Sequence, residues 1–271
     1  MNIWETVIIQ PMTTLLLWIY NALGHGPHTF GFAIILFTVL IKLLTWPLNA
    51  SQVKGAQAMQ ELQNDKDWQE IQKKYAKDRE KLAQEQMRIY QEKGINPFAS
   101  CLPTLVQFPI IIGLYQSINR AMAATPLDML KLARTVSVYP FLNFENLIPL
   151  NSKFLWMDLG RPESVLLFGI GIPTLALVVA LTTYVQSKLT MPTTTNPNDQ
   201  TAQMSSMMSI YMPLMLGWFA LNFASGISVY FITSNLLGIA QYAATGRANW
   251  RNLIPGAKKN TTTLPAKSAK K

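Results

Sequence analysis

Five apolar blocks dominate the chain: Phe30–Leu48, Ala99–Ile118, Ser164–Tyr184, Met207–Phe223 and Gly226–Ala243. None contains Asp or Glu. About 20 residues at a rise of ~1.5 Å cover a hydrocarbon layer of ~30 Å, so each block is long enough, or nearly so, to span as a helix. Backbone polar groups find no water in lipid, and a helix satisfies them internally. The expected fold is therefore an all-α membrane protein with five transmembrane helices. Charged residues make up only 14% of the chain, against ~25% in a typical soluble domain.

Basic residues are unevenly placed. Residues 1–41 hold no Lys or Arg, 49–98 hold nine, 119–163 hold five, and the tail from Arg247 holds seven. The positive-inside rule puts 49–98 and the tail in the cytoplasm. An odd number of spans then leaves the N-terminus outside. Loop 119–163 is external despite its cations, because long loops translocate with less regard to charge. The first basic residue is Lys42, so no cleavable signal peptide is expected. The resulting plan is 1–28 external, spans at 29–48, 99–118, 164–185, 207–224 and 225–245, and cytoplasmic segments at 49–98, 186–206 and 246–271.

Glu5 and Pro11 interrupt the apolar N-terminal stretch, which we read as an external, interfacial amphipathic helix rather than a sixth span. His25 and His28 in "HGPH" fit a turn better than a metal site. Gln52 to Lys93 mixes charges of both signs without Pro and with Gly55 as its sole Gly. Trp68, Ile71, Tyr75, Leu82 and Ile89 form a narrow heptad seam along its second arm, and Asn64-Asp65 offers a turn and a cap. A cytoplasmic helical hairpin follows. It is either a solvated coiled coil or a docking handle. Segment 186–206 reads as a polar loop. The tail reads as disordered and polycationic, suited to RNA or anionic lipid. Cys101 reads as a small packing residue.

Lys42 is the one charge inside a block. A lysine at a helix centre costs on the order of 2.5–3.5 kcal/mol on insertion scales. Either its stem snorkels to the inner headgroups, or it faces a water-containing recess. Gln107, Gln186, Ser234 and Asn235 also fall in the inner half of the spans. Several such residues suit a shared hydrated recess better than isolated interhelical hydrogen bonds. Methionines from Met191 to Met215 gather at the inner mouth of the fourth span, as packing or as an adaptable apolar surface.

Five stretches in order resemble the YidC-type membrane protein insertases, over about residues 2–245. They are "IILFTVLIKLLTWPL" at 34–48; "MQELQ" at 59–63 with "GINPFASCLPTLVQFPIIIGLYQSI" at 94–118; "FLWMDLG" at 154–160; "YVQSKLTMP" at 184–192; and "SGISVYFITSNLLGIAQ" at 225–241. The resemblance implies an insertase and chaperone for nascent membrane proteins, not an enzyme, acting alone or with the Sec translocon. It implies a groove open to cytoplasm and lipid but closed to the outside. Lys42 matches a position usually held by arginine, Gln186 a groove-facing polar position, and Tyr230 and Phe231 aromatic positions near substrate. It assigns partner docking, with signal recognition particle receptor or ribosome, to the hairpin (Trp68, Tyr75, Arg79) and the tail (Lys258, Lys259). The large external domain of some members is absent, as in the short form. No cofactor, metal or DNA partner is expected. Two rivals follow from Lys42: an anion transporter or channel, and an intramembrane Ser/Lys hydrolase using Ser234 or Ser225.

Overall fold

The computed structural model describes residues 3–63, 65–75, 78–95, 102–122, 125–138, 150–167, 170–190, 200–244 and 250–253. These are mostly helical. The chain opens with α1 (Glu5–Leu23), whose first turn, Glu5–Ile9, is wound as a π-helix. Gly24, at φ +91°, ends it. Then come α2 (Thr29–Leu44) and α3 (Trp46–Gln63). The expected single block to Leu48 breaks at Thr45, whose hydroxyl turns back onto the Ile41 carbonyl at 2.9 Å. Pro47 lacks an N–H and is tolerated in the first turn of a new helix, but not in the interior of a continuing one.

The hairpin differs from its expected form. Its second arm is two helices, α4 (Lys66–Lys74) and α5 (Arg79–Glu92). Asp65 caps α4 through the Asp67 N–H at 3.0 Å, and Asp78 caps α5 through the Lys81 N–H at 3.2 Å. On one continuous helix Trp68 and Ile89 would lie ~31 Å apart. Instead they share a small core with Leu62, and the Trp68 and Tyr90 rings are 5.3 Å apart. Lys93 bonds Asp65 across the base of this fold. Hydrogen bonding from Lys93 holds the Asp65 carboxyl below the usual carboxylate range.

Beyond it lie α6 (Leu102–Met122), α7 (Pro126–Val138), strands β1 (Lys153–Phe154) and β2 (Met157–Asp158), strands β3 (Val165–Leu167) and β4 (Ile170–Ile172), then α8 (Thr174–Thr190), α9 (Gln200–Asn222) and α10 (Ser225–Ala244). The block expected to be helical from Ser164 is thus an antiparallel strand pair for its first third, with Val165 opposite Ile172. Gly169, Gly171 and Pro173 explain the difference: all three weaken a helix interior, and hydropathy does not register that. The 119–163 segment likewise contains α7 and the β1–β2 pair. Of segment 186–206, both ends are helical.

α9 packs on α8, α8 on α10, α10 on α2, α2 on α1 and α1 on α6, while α6 also meets α10. The main core gathers at one end of this bundle. It takes Phe30, Ile34 and Phe37 from the start of α2, Leu114 and Ile118 from the end of α6, Leu175 and Val179 from the start of α8, and Ile227 and Tyr230 from the start of α10. Residues 152–163 cross that end as a strap. The Leu159 carbonyl accepts from the Gly226 N–H at 3.0 Å, and the Arg161 carbonyl from the Ser225 N–H at 2.9 Å. Elsewhere long apolar faces point away from the bundle. On α9, Met207, Ile210, Tyr211, Leu214 and Trp218 are all exposed, and on α2 so are Phe32, Leu36, Leu40 and Leu43. Among the described residues, Glu5–Leu23 is the one helix long and apolar enough to cross a membrane by length and composition, with Thr29–Leu44 apolar but shorter.

Candidate functional site

A polar layer lies beyond the packed end. Its depth follows from one contact. A Cβ at Gly226 would sit 3.2 Å from Ile34 Cδ1 and 3.2 Å from Ile118 Cδ1, so these three residues share a level. α2 and α10 both leave the strap end in the same direction. Lys42 is eight residues past Ile34, and Ser234 is eight past Gly226. At ~1.5 Å per residue, both lie ~12 Å deeper than that level. Lys42 and Ser234 therefore lie at a similar depth along α2 and α10. Lys42 is half-buried. Among the described residues its ammonium group has no hydrogen-bond or ion-pair partner.

The structure connects the other expected groove residues. Gln107 on α6 donates through Nε2 to the Tyr230 hydroxyl on α10. Ser234 lies one turn along α10 from Tyr230, on the same helix face. Asn235 donates through Nδ2 to Thr182 Oγ1 at 3.1 Å and Thr183 Oγ1 at 2.8 Å on α8. Gln186, one turn further along α8, lies flat on α10, where a Cβ at Gly238 would approach its Nε2 to 2.5 Å. Tyr230 and Phe231 stack edge to face at 5.7 Å, and both are buried, as are Ser234 and Asn235. The aromatic pair thus lies within the bundle wall.

Thr182 and Thr183 are site residues that the sequence reading does not single out. The signal is there: they precede Gln186 by four and three residues, which puts all three on one helix face. Threonine is close to neutral in hydropathy, and it can satisfy its hydroxyl locally, as Thr182 does on the Val178 carbonyl at 2.8 Å. Such a hydroxyl still accepts a further bond, which is how Asn235 uses it.

On the hairpin the sequence expectation needs correction. Trp68, expected at a docking surface, is 1% exposed and fills the hairpin core. Burying so large an apolar side chain stabilises the hairpin itself. Tyr75 is half-buried, with the Lys74 ammonium 5.3 Å from its ring. Arg79 opens α5. Lys258 and Lys259 lie outside the described residues. For the hydrolase rival, Ser225 is misplaced: it donates to the Arg161 carbonyl at the strap end, 2.5 Å away, about two to three turns of helix from the level of Lys42. His28 accepts the Leu155 N–H on Nδ1 at 2.9 Å, so it serves the turn.

The family model for the 60Kd inner membrane protein matches residues 18–251. The membrane protein insertase YidC of Oceanobacillus iheyensis is 35% identical over 246 residues, covering 89% of this chain and 82% of that one. The membrane protein insertase MisCA of Bacillus subtilis is 33% identical over 244 residues, covering 89% and 78%. The chloroplastic ALBINO3-like protein 1 of Arabidopsis thaliana is 33% identical over 272 residues, covering 95% of this chain and 50% of its own length. Among solved structures, an active YidC insertase crystal structure superposes with a TM-score of 0.52 at 24% identity, covering 90% of this chain and 47% of that one. That likeness supports the fold.

Proposed function

This chain belongs to the 60Kd inner membrane protein family and is a membrane protein insertase; we propose that it works through a groove built on the polar layer around Lys42. One observation carries this reading: the polar layer lies past a tightly packed end, in a bundle whose outward faces are apolar. Exposed stripes on α2 and α9 suit lipid. Packing at the strap end suits closure toward the outside. A recess reaching partway across the bilayer shortens the apolar path for the polar flank of a nascent span. The Lys42 ammonium, without a partner among the described residues, attracts acidic flanks with little solvent screening. The apolar part then moves into lipid by hydrophobic transfer.

In this reading α2, α6, α8, α9 and α10 are the five spans, with the hairpin and tail cytoplasmic. α1 lies along the outer interface. Its length would let it span, but both its ends contact the strap end of the bundle. Glu5 pairs with Arg120, near the end of α6, at 3.0 Å, and Tyr20 packs on Phe30, near the start of α2, at 5.8 Å. A spanning helix would separate these levels by ~22 Å. The hairpin surface and the basic tail are the places for a targeting receptor, the ribosome or the Sec translocon.

The test is in-cell photocrosslinking to stalled nascent chains from position 186, with position 23 on α1 as control. Crosslinks from 186 and none from 23 support the groove; equal yields from both would remove it. The channel alternative predicts ion flux through proteoliposomes of the wild-type chain, whereas a closed strap end predicts none.

A further inference from the structure

The strap at 152–163 does more than connect α7 to α8. Its backbone carbonyls cap the first turn of α10, where Ser225 adds its hydroxyl at 2.5 Å on the Arg161 carbonyl. Phe154 occupies the space that a Cβ on Gly31 would need, and the Leu155 N–H reaches His28 Nδ1. Both contacts hold the start of α2. Glu163 then reaches α8. Its Oε2 accepts the Leu175 N–H at 3.0 Å, and its Oε1 accepts the Thr174 hydroxyl at 2.7 Å and the Trp156 indole N–H at 3.1 Å. Three helices that carry the polar layer thus have their starts tied to one twelve-residue segment. The ties to α8 and α10 satisfy donors that a helix N-terminus leaves unpaired; at α2, Phe154 fills the notch at Gly31 and the Leu155 N–H donates to His28.

We propose that Glu163 is a positioning residue for the outer seal: one carboxylate joins the β1–β2 turn to the start of α8 and keeps the groove closed on that side. Helix starts pinned at one level leave the opposite ends as the part of the bundle that can separate to admit a substrate. The side chain works as a hydrogen-bond acceptor and as a negative charge on the α8 dipole. Glutamine keeps one of the two acceptor oxygens and loses the charge, and alanine keeps neither. This inference rests on the insertase reading for what the seal is for, and not for whether the seal exists.

The test uses the full chain in proteoliposomes as wild type, Glu163→Gln and Glu163→Ala. Amide exchange, ion leak and insertion of a single-span substrate are measured on each. For Glu163→Ala, exchange at Thr174–Ala176 is expected to rise about tenfold, the effect of roughly one lost cap. Ion leak is expected to appear while insertion continues. Glu163→Gln, with one acceptor oxygen left, is expected to leak less than alanine. Faster exchange without leak, or leak from Glu163→Gln equal to that from alanine, overturns the proposal. Should Glu163→Ala not fold, Trp156→Phe removes only the indole donor, and a leak above that of wild type is expected; a fully tight variant overturns it. Failure of the wild type to insert substrate would count against the insertase reading alone, because the leak comparison does not depend on it.

Discussion

The Asn235 side-chain amide on α10 donates to the Thr183 hydroxyl on α8 across 2.8 Å, between residues 52 positions apart. Asn235 is buried, so the bond is read against an apolar alternative. Interhelical bonds of this type are worth ~0.6 kcal/mol on average, and up to ~1.7. Asn235→Ala and Thr183→Ala should each destabilise the purified protein by about 1 kcal/mol. A double-mutant cycle on detergent-solubilised protein should give coupling of roughly 0.5–1.5 kcal/mol. Strict additivity would mean the bond does not form.

Lys42 has no partner among the described residues, and in the proposed groove its charge would meet the acidic flank of a substrate. A unit charge pair at ~8 Å with an effective dielectric of ~20 is worth ~2 kcal/mol. In a depletion strain Lys42→Arg should complement fully. Lys42→Ala should lower insertion of acidic-tailed substrates by tenfold or more, and Lys42→Glu should abolish it. Equal complementation by all three for such substrates would exclude electrostatic attraction as the mechanism.

The Glu5–Arg120 pair holds α1 on α6, and Arg120 is 9% exposed at its side chain against 36% for Glu5. The two substitutions should therefore differ. Glu5→Ala strands a largely buried cation, whereas Arg120→Ala leaves a carboxylate with access to water. Removing a partner from a buried pair costs ~3–5 kcal/mol, and partial exposure reduces that. Amide exchange in residues 5–9 should accelerate more in Glu5→Ala than in Arg120→Ala. The reverse order would mean that the pair does not anchor α1.

The hairpin should be acid-sensitive. Lys93 lowers the Asp65 carboxyl below its unfolded value. Stability from that shift is present above the usual carboxylate range and is lost as pH falls through the lowered folded value. With 5-fluorotryptophan, the Trp68 resonance should change as pH drops below ~4. Asp65→Asn should already lack this transition. A Trp68 signal with the same acid response in both proteins would assign the sensitivity elsewhere.

A Cβ at Gly31 would fall within the Phe154 ring. Overpacking of this kind costs typically ~1–3 kcal/mol. Gly31→Ala should lower the thermal midpoint, and Phe154→Leu in the same chain should recover part of the loss. No recovery would place the clash with some other neighbour.

The polar residues between the helices were legible where they depend on residue type. Lys42, Gln107, Gln186, Ser234 and Asn235 stand out because polar groups are rare in apolar blocks. Their partners were not legible. Tyr230 reads as an apolar aromatic until Gln107 is brought to its hydroxyl from 123 residues away. Trp68 illustrates the opposite error. Its heptad spacing is real, but α4 ends at Lys74 and a separate helix starts at Arg79, and the indole turns inward onto Tyr90.

By itself the sequence determined properties that act over one or two helical turns: which blocks exclude acidic residues, and where Asp65 caps a helix. Such properties depend on backbone and side-chain groups three or four residues apart, which the order of residues already sets side by side. Only the tertiary structure decided that Glu163 would cap α8, that His28 would receive Leu155 from 127 residues away, and that Phe154 would fill the notch left at Gly31. Those outcomes belong to donors and surfaces that local structure leaves unsatisfied, and which distant group reaches each one first becomes definite when the helices pack.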